Sequence, residues 1–214
     1  MTNSPPTHKI TLVLATGNRA KFNEISALLR GLDVRILPLD RVGPVEVPPE
    51  SGDSFQENAR IKAVAVASAT GCLTLADDSG LEVDALGGAP GVLSARFGGP
   101  GKTDADRCHL LLDKLIGIPP ERRTARFRCV VAVAEPSGPV HFAEGMCEGR
   151  ITATPRGAHG FGYDPVFEIF SLRRTLAEVG PGVKNRLSHR AQAVRGARAI
   201  LERLLSSGSA TVKD

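Results

Sequence analysis

The chain has 214 residues and 22.6 kDa, with 23% charged and 42% apolar residues, which makes it globular and large enough for a full core, and excludes a low-complexity or fibrous protein. A formal charge of +4 and a pI near 9.1 suit an anionic partner, whether nucleotide, nucleic acid or metabolite phosphate. The four cysteines form no C-x-x-C pair and lie mostly in apolar runs, which argues against zinc or disulfides and for buried thiols in a reducing compartment.

Residues 1–9 are polar and read as a flexible tail, followed by one domain over 10–205. The apolar run after the tail is too short for a signal sequence or a membrane span, so a cytoplasmic protein with no membrane partner is expected. Residues 10–15 predict a buried first strand. Thr16-Gly17-Asn18 then leads into a helix over 19–29 that Gly31 closes. Because Lys21 falls in the first turn, this loop aims backbone N–H groups and a cation at one place, as an anion cradle does; helix capping by Thr16 or Asn18 explains the same residues.

A second strand is predicted over 34–39, followed by a Pro-rich passage over 44–50. Ser54-Phe55-Gln56-Glu57 has capping-box spacing and opens an Ala-rich helix over 57–69 that carries Asn58 and Lys62. Residues 72–76 predict a buried strand ending at Asp77-Asp78, with Ser79-Gly80 turning the chain at once. Strand ends open onto ligand crevices in α/β folds, and adjacent strand residues point to opposite sides, so one of the two acids faces a given ligand. Taken alone, the same four residues are more often a polar turn. The cap alone explains Glu57, and Glu50 and Glu57 equally suit as oxygen ligands for a divalent cation beside the pair.

Thr103 is the expected N-cap of a helix ending near 115. Gly101-Lys102-Thr103 copies the end of a P-loop, but Arg96 stands where that motif requires glycine. Residues 126–135 and 140–146 predict a hairpin joined by Pro136-Ser137-Gly138-Pro139, and antiparallel pairing within a βα chain implies a mixed sheet. A Gly-rich and aromatic loop over 157–163 ends at Asp164-Pro165, with a short strand over 166–170. Ser188 caps a final helix over 189–205, and 206–214 form a second flexible tail. Between residues 171 and 203 there are eight Lys or Arg against two acids, which suits either a polyanion or a solvated helix face.

Five separated pieces now stand in order: Thr16-Gly17-Asn18-x-x-Lys21, Ser54-Phe55-x-Glu57-Asn58-Ala59 with Lys62, Ala76-Asp77-Asp78-Ser79-Gly80-Leu81, Phe161-Gly162-Tyr163-Asp164-Pro165, and Ser188-His189-Arg190. Together they resemble the Ham1/inosine triphosphatase family over nearly the whole chain. The resemblance implies an α/β fold, an elongated mixed β-sheet flanked by helices, with two lobes around a central nucleotide-binding cleft. It implies a homodimer that uses Mg²⁺ to hydrolyse non-standard purine nucleoside triphosphates such as ITP, dITP and XTP to monophosphate and pyrophosphate, clearing deaminated purines from the nucleotide pool.

Residue by residue, the resemblance gives Thr16, Gly17, Asn18, Arg19, Ala20 and Lys21 to the triphosphate. Asp78 matches the proton acceptor that activates water and also a metal ligand, with Glu50 as the second metal position. Ser79 and Lys184 match substrate-binding positions, and Phe161, Gly162, Tyr163, Asp164, His189 and Arg190 match the segments that hold the base. The chemistry agrees: hypoxanthine and xanthine offer a 6-oxo acceptor to Arg190 or His189 where adenine offers an amino donor, a mismatch of roughly 1–3 kcal/mol. Guanine keeps the 6-oxo group, so its rejection needs another device. Phe161 supplies a stacking face, with Arg190 adding cation–π character. Arg186, between Lys184 and His189, departs from the common pattern. Two other classes compete: a P-loop-like ATPase built on Lys102, and a nucleic-acid-binding module using the basic C-terminal segment. A single Tyr and no Trp weigh against the latter, so no nucleic-acid partner is expected.

Overall fold

The run expected as the first strand forms β1 (Thr11–Leu14), which pairs in parallel with β2 (Arg35–Pro38) on one side and β3 (Leu73–Val83) on the other. From β3 onward pairing is antiparallel, through β4 (Thr124–Ala134), β5 (Val140–Ile151), β6 (Phe167–Ile169) and β7 (Arg174–Thr175). One mixed sheet results, in the order β2-β1-β3-β4-β5-β6-β7. These coordinates come from a computed structural model that describes residues 9–136 and 138–207; most of both expected tails, and Ser137 of the expected hairpin turn, lie outside the described residues.

Capping chemistry sets the helices. Asn18 caps α1 (Arg19–Leu28), and Ser54 caps α2 (Phe55–Thr70), which ends at Gly71 in the left-handed region. Thr103 and Asp106 form a capping box on α3 (Asp104–Lys114), and the Ser188 hydroxyl accepts from the Ala191 N–H at the start of α5 (His189–Ser206). An eight-residue helix, α4 (Gly180–Leu187), precedes it. Its Pro181 sits in the first turn, where proline is tolerated.

The expected end of β3 at Asp77-Asp78 is wrong. The strand runs 11 residues to Val83, because β4 offers an unbroken antiparallel partner from Thr74↔Ala134 to Val83↔Ala125. Both acids are therefore in mid-strand. Gly80 serves close approach rather than a turn: a Cβ there would collide with the Gly91 carbonyl oxygen and Ser94 Oγ, which belong to the 3-10 turn Gly91–Arg96.

The strands β3, β4 and β5 span two packed ends. At one end Leu73, Leu75, Val131 and Val133 face α1 and α5, while Ala76, Val130 and Ala132 face α2 on the opposite side. At the other end Leu81, Phe127, Cys147 and Phe167 pack with Leu111 and Leu115 at α3. The four cysteines are free, and burial pushes the Cys129 thiol up to about 12 and Cys108 and Cys147 to about 11, so none of these three is a nucleophile near neutral pH. Among the described residues, no helix is long and apolar enough to cross a membrane.

Candidate active site

Alternation along β3 sends its two acids to different helices. Asp77 faces α1 and α5, where its Oδ2 lies 3.1 Å from Lys21 Nζ and 3.3 Å from Arg190 Nε. Burial raises an acid's pKa, yet Lys21, Arg190 and Lys62 outweigh it and hold Asp77 well below the usual carboxylate range. Ser79, two residues on and on the same face, accepts from Arg190 Nη2 at 2.8 Å. Asp77 Oδ1 is buried with no hydrogen-bond partner.

Asp78 faces α2. Its Oδ2 accepts from Asn58 Nδ2 at 3.0 Å, and its Oδ1 lies 3.9 Å from Lys62 Nζ. Lys62 also reaches Glu50 Oε1 at 2.5 Å and the Asp77 carbonyl at 2.7 Å, so one ammonium gathers the strand and the Pro-rich loop. Burial, with the Glu50 charge adding to it, raises the Asp78 pKa in spite of Lys62, Lys21 and the Asn58 bond. Glu50 moves the other way: Lys62, Lys21 and Arg96 overcome burial and lower it. The loop carrying Glu50 is pinned further by Gly52 N–H donating to Asn58 Oδ1 at 2.8 Å.

Oxygen ligands from two carboxylates that converge on one ammonium suit a hard divalent cation. Among the described residues no group of three or more His, Cys, Asp or Glu forms a closed metal cluster.

At the N-terminus of α1, Asn18 Oδ1 accepts from the N–H groups of Ala20 and Lys21 at 2.9 and 3.1 Å. Two of the amides expected to cradle an anion are therefore already capped, and the Lys21 cation remains as the main attraction. Beside the loop, a cavity of about 350 Å³ is lined by Thr16, Gly17, Arg19 and Phe22 on one side and by Pro38, Leu39, Asp40, Gly43, Pro44 and Val45 on the other.

The far end gathers α1, α4, α5 and the loop after β5. Lys184 Nζ sits 2.6 Å from Asp164 and 2.8 Å from Glu24, while Arg190 Nη1 donates to Glu24 at 2.6 Å. Both cations lie over the half-buried Phe161 ring, at 4.4 and 5.4 Å from its centroid. Asp164 Oδ2 accepts from the Phe161 N–H at 2.9 Å, and Gly162 N–H donates to Asp104 at 2.7 Å, which fixes the loop. Tyr163 does not offer its ring to this space: it is buried, and its hydroxyl donates to the Ser94 carbonyl at 2.9 Å. His189 is buried and stacked on Phe127 at 4.6 Å, with Nδ1 unpartnered. Burial, then Arg190 and Lys184, hold its pKa well below the ordinary histidine value.

Of the expected residues, Lys21, Ser79 and Arg190 meet at Asp77, Glu50 and Asp78 meet at Lys62 on the other face of β3, and Lys184 and Arg190 meet at Glu24 and over Phe161. The structure also uses Glu24, Asn58, Lys62 and Arg96. Glu24 was legible only as the residue one turn beyond Lys21 on the same helix face. The P-loop reading lacks its context, since a 3-10 turn rather than a strand precedes Lys102, and Lys102 is exposed. The basic C-terminal segment is not one open surface either, because Lys184 and Arg190 are buried in ion pairs.

The sequence model of the Ham1 family matches residues 12–200. A dITP/XTP pyrophosphatase of Desulforamulus reducens is 49% identical over 193 residues, covering 90% of this chain and 96% of the relative. A HAM1 protein from Coxiella burnetii superposes with a TM-score of 0.83 at 41% identity, covering 91% of this chain and 99% of that one. A nucleoside-triphosphatase, or dITP/XTP pyrophosphatase, from Mycobacterium abscessus gives 0.70 at 41% identity, covering 92% and 99%.

Proposed function

Because this chain belongs to the Ham1 family, we propose that it hydrolyses non-standard purine nucleoside triphosphates, dITP, ITP and XTP, to the monophosphate and pyrophosphate. The observation that carries this reading is Asp78: a buried carboxylate of raised pKa, set between Asn58 and Lys62 and beside Glu50. A carboxylate whose proton affinity is raised is a better general base. Asp78 takes a proton from water as the water oxygen attacks the α-phosphorus and the bond to the bridging oxygen of the pyrophosphate breaks.

Lys21 attracts the phosphate chain. Glu50 and Asp78 would hold Mg²⁺ together with phosphate oxygens, where the ion supplies neutralisation of charge on those oxygens. Lys62 keeps the two carboxylates from repelling each other when they are otherwise uncompensated. Phe161 offers a stacking face for the base, backed by Lys184 and Arg190. Arg190 is buried with all three of its nitrogens engaged, so a 6-oxo group would compete with Ser79 or Glu24 for its remaining N–H donors. Neutral His189 is a weaker donor than the sequence alone suggests. A cytoplasmic homodimer that clears deaminated purines completes the proposal.

Product analysis with ITP, XTP, GTP and ATP, with and without Mg²⁺, tests it. Monophosphate and pyrophosphate from ITP or XTP are expected, and Asp78→Asn should lower kcat by about 10²–10⁴. Orthophosphate and ADP from ATP, insensitive to that substitution, would refute the reading.

A further inference from the structure

The buried and half-buried cations of this site are matched by acids, while Arg19, at the start of α1, is exposed and makes no ion pair among the described residues. Lys21 pairs with Asp77, Lys62 with Glu50, Lys184 with Glu24 and Asp164, and Arg190 with Asp77 and Glu24. A triphosphate brings several negative charges, and each matched cation must give up part of an existing pair to meet them.

Arg96 differs. It ends the 3-10 turn Gly91–Arg96, is exposed, and forms no ion pair with a carboxylate within 4.0 Å among the described residues. Its side-chain hydrogen bond runs from Nη1 to the Glu50 carbonyl oxygen at 2.9 Å, so a guanidinium with five N–H donors keeps most of them unused. The position is well defined. Ser94, two residues earlier, accepts from the Leu81 N–H at 2.9 Å, donates to the Gly91 carbonyl at 2.6 Å, and receives the Tyr163 hydroxyl on its own carbonyl. The turn is thereby fastened to β3 three residues beyond Asp78, and Arg96 reaches from it across to the loop that carries Glu50. Its charge is felt there, since it helps to lower the Glu50 pKa.

We propose that Arg96 is a substrate-contacting residue that grips the pyrophosphate portion of the triphosphate through nonbridging oxygens, while Lys21 attracts the phosphate chain from α1. The planar fork matches phosphate bidentately, and the carbonyl it releases or shares lies at an exposed loop where water can replace it. This inference rests on the triphosphate chemistry proposed above. It adds a cation from the 3-10 turn to a site whose buried and half-buried cations are paired with acids.

The test uses inorganic pyrophosphate and IMP as separate probes, titrated in the presence of Mg²⁺ against the wild type, Arg96→Ala and Arg96→Lys. Arg96→Ala should weaken pyrophosphate binding about tenfold to a hundredfold, the effect of one charge-assisted hydrogen bond or slightly more, and leave IMP binding unchanged. Arg96→Lys should recover part of the loss, and the ratio of kcat/KM for ITP and GTP should not move. Unchanged pyrophosphate affinity in a folded Arg96→Ala protein overturns the proposal. So does an equal loss for pyrophosphate and IMP, because a guanidinium that only latches the Glu50 loop would disturb both. Should Arg96→Ala fail to fold, Arg96→Gln is read by the same criteria. A wild type that hydrolyses neither ITP nor XTP would instead sink the underlying function, and is distinguishable from either result.

Discussion

His189 lets the electrostatics of the site be checked without substrate. Its imidazole is buried against Phe127 with Nδ1 unpartnered, and burial together with Arg190 and Lys184 keeps it neutral in the native protein. In the unfolded chain the same ring takes up a proton as pH falls through 6.5. Above that value neither state is charged there, and the group has no effect on stability. Below it only the unfolded state gains the proton, so stability declines by up to about 1.4 kcal/mol per pH unit. Between about pH 7.5 and 5.5 the loss assigned to His189 is roughly 1 to 1.5 kcal/mol. Urea unfolding of the wild type and His189→Phe at the two pH values isolates it, because phenylalanine keeps a ring against Phe127 and any packing cost cancels between the two conditions. The wild type should lose that much more than the variant. Equal losses would show that the native imidazole is protonated or reaches water, and the reasoning would fail.

Asn58→Leu removes a hydrogen bond that favours ionised Asp78, so the acid limb of kcat/KM against pH should move to higher pH; a limb that stays in place would remove Asn58 from any role in setting the base. Glu24→Gln takes the shared carboxylate from two buried cations, and calorimetric melting should report about 3 kcal/mol of lost stability. That figure is the low end for a broken buried pair, since Asp164 and Asp77 still face Lys184 and Arg190. Gly80→Ala drives a methyl group into the Gly91 carbonyl and Ser94 Oγ, and should destabilise by about 1–3 kcal/mol; full wild-type stability would contradict the tight contact between β3 and the 3-10 turn.

The sequence carried most of the helices, because each begins with a capping residue whose hydroxyl, carboxylate or amide has an obvious local job: Asn18, Ser54, Thr103 and Ser188 all perform it. It misplaced the end of β3 because Asp, Ser and Gly have the same local meaning in a turn as in a strand whose partner is remote in sequence. Only the ladder to β4 decides between the two. The expectation that Asp77 and Asp78 would face different ways survived that error, since it depends on strand alternation alone. Helix α4 was hidden by its Gly-Pro-Gly opening, and β7 by having two residues. Motif position assigns Tyr163 and Arg190 to the base, but it gives no sign of their protein partners, Ser94 for Tyr163 and Glu24, Asp77 and Ser79 for Arg190, which lie far along the chain.

The bond between Arg190 and Glu24 joins residues 166 positions apart, so its two halves are made at nearly opposite ends of synthesis. A nascent chain that has emerged as far as β5 already holds Lys21, Glu50, Asp77 and Asp78, but nothing yet meets Glu24, and two cations that offset Asp77 and Glu24 are still missing. Non-local contacts of this reach form late and slowly. Lys21 and Lys62 emerge with the acids they face, whereas Lys184 and Arg190 come last, so a chain that ends before α4 lacks the cations that complete the pairing of Glu24 and Asp77.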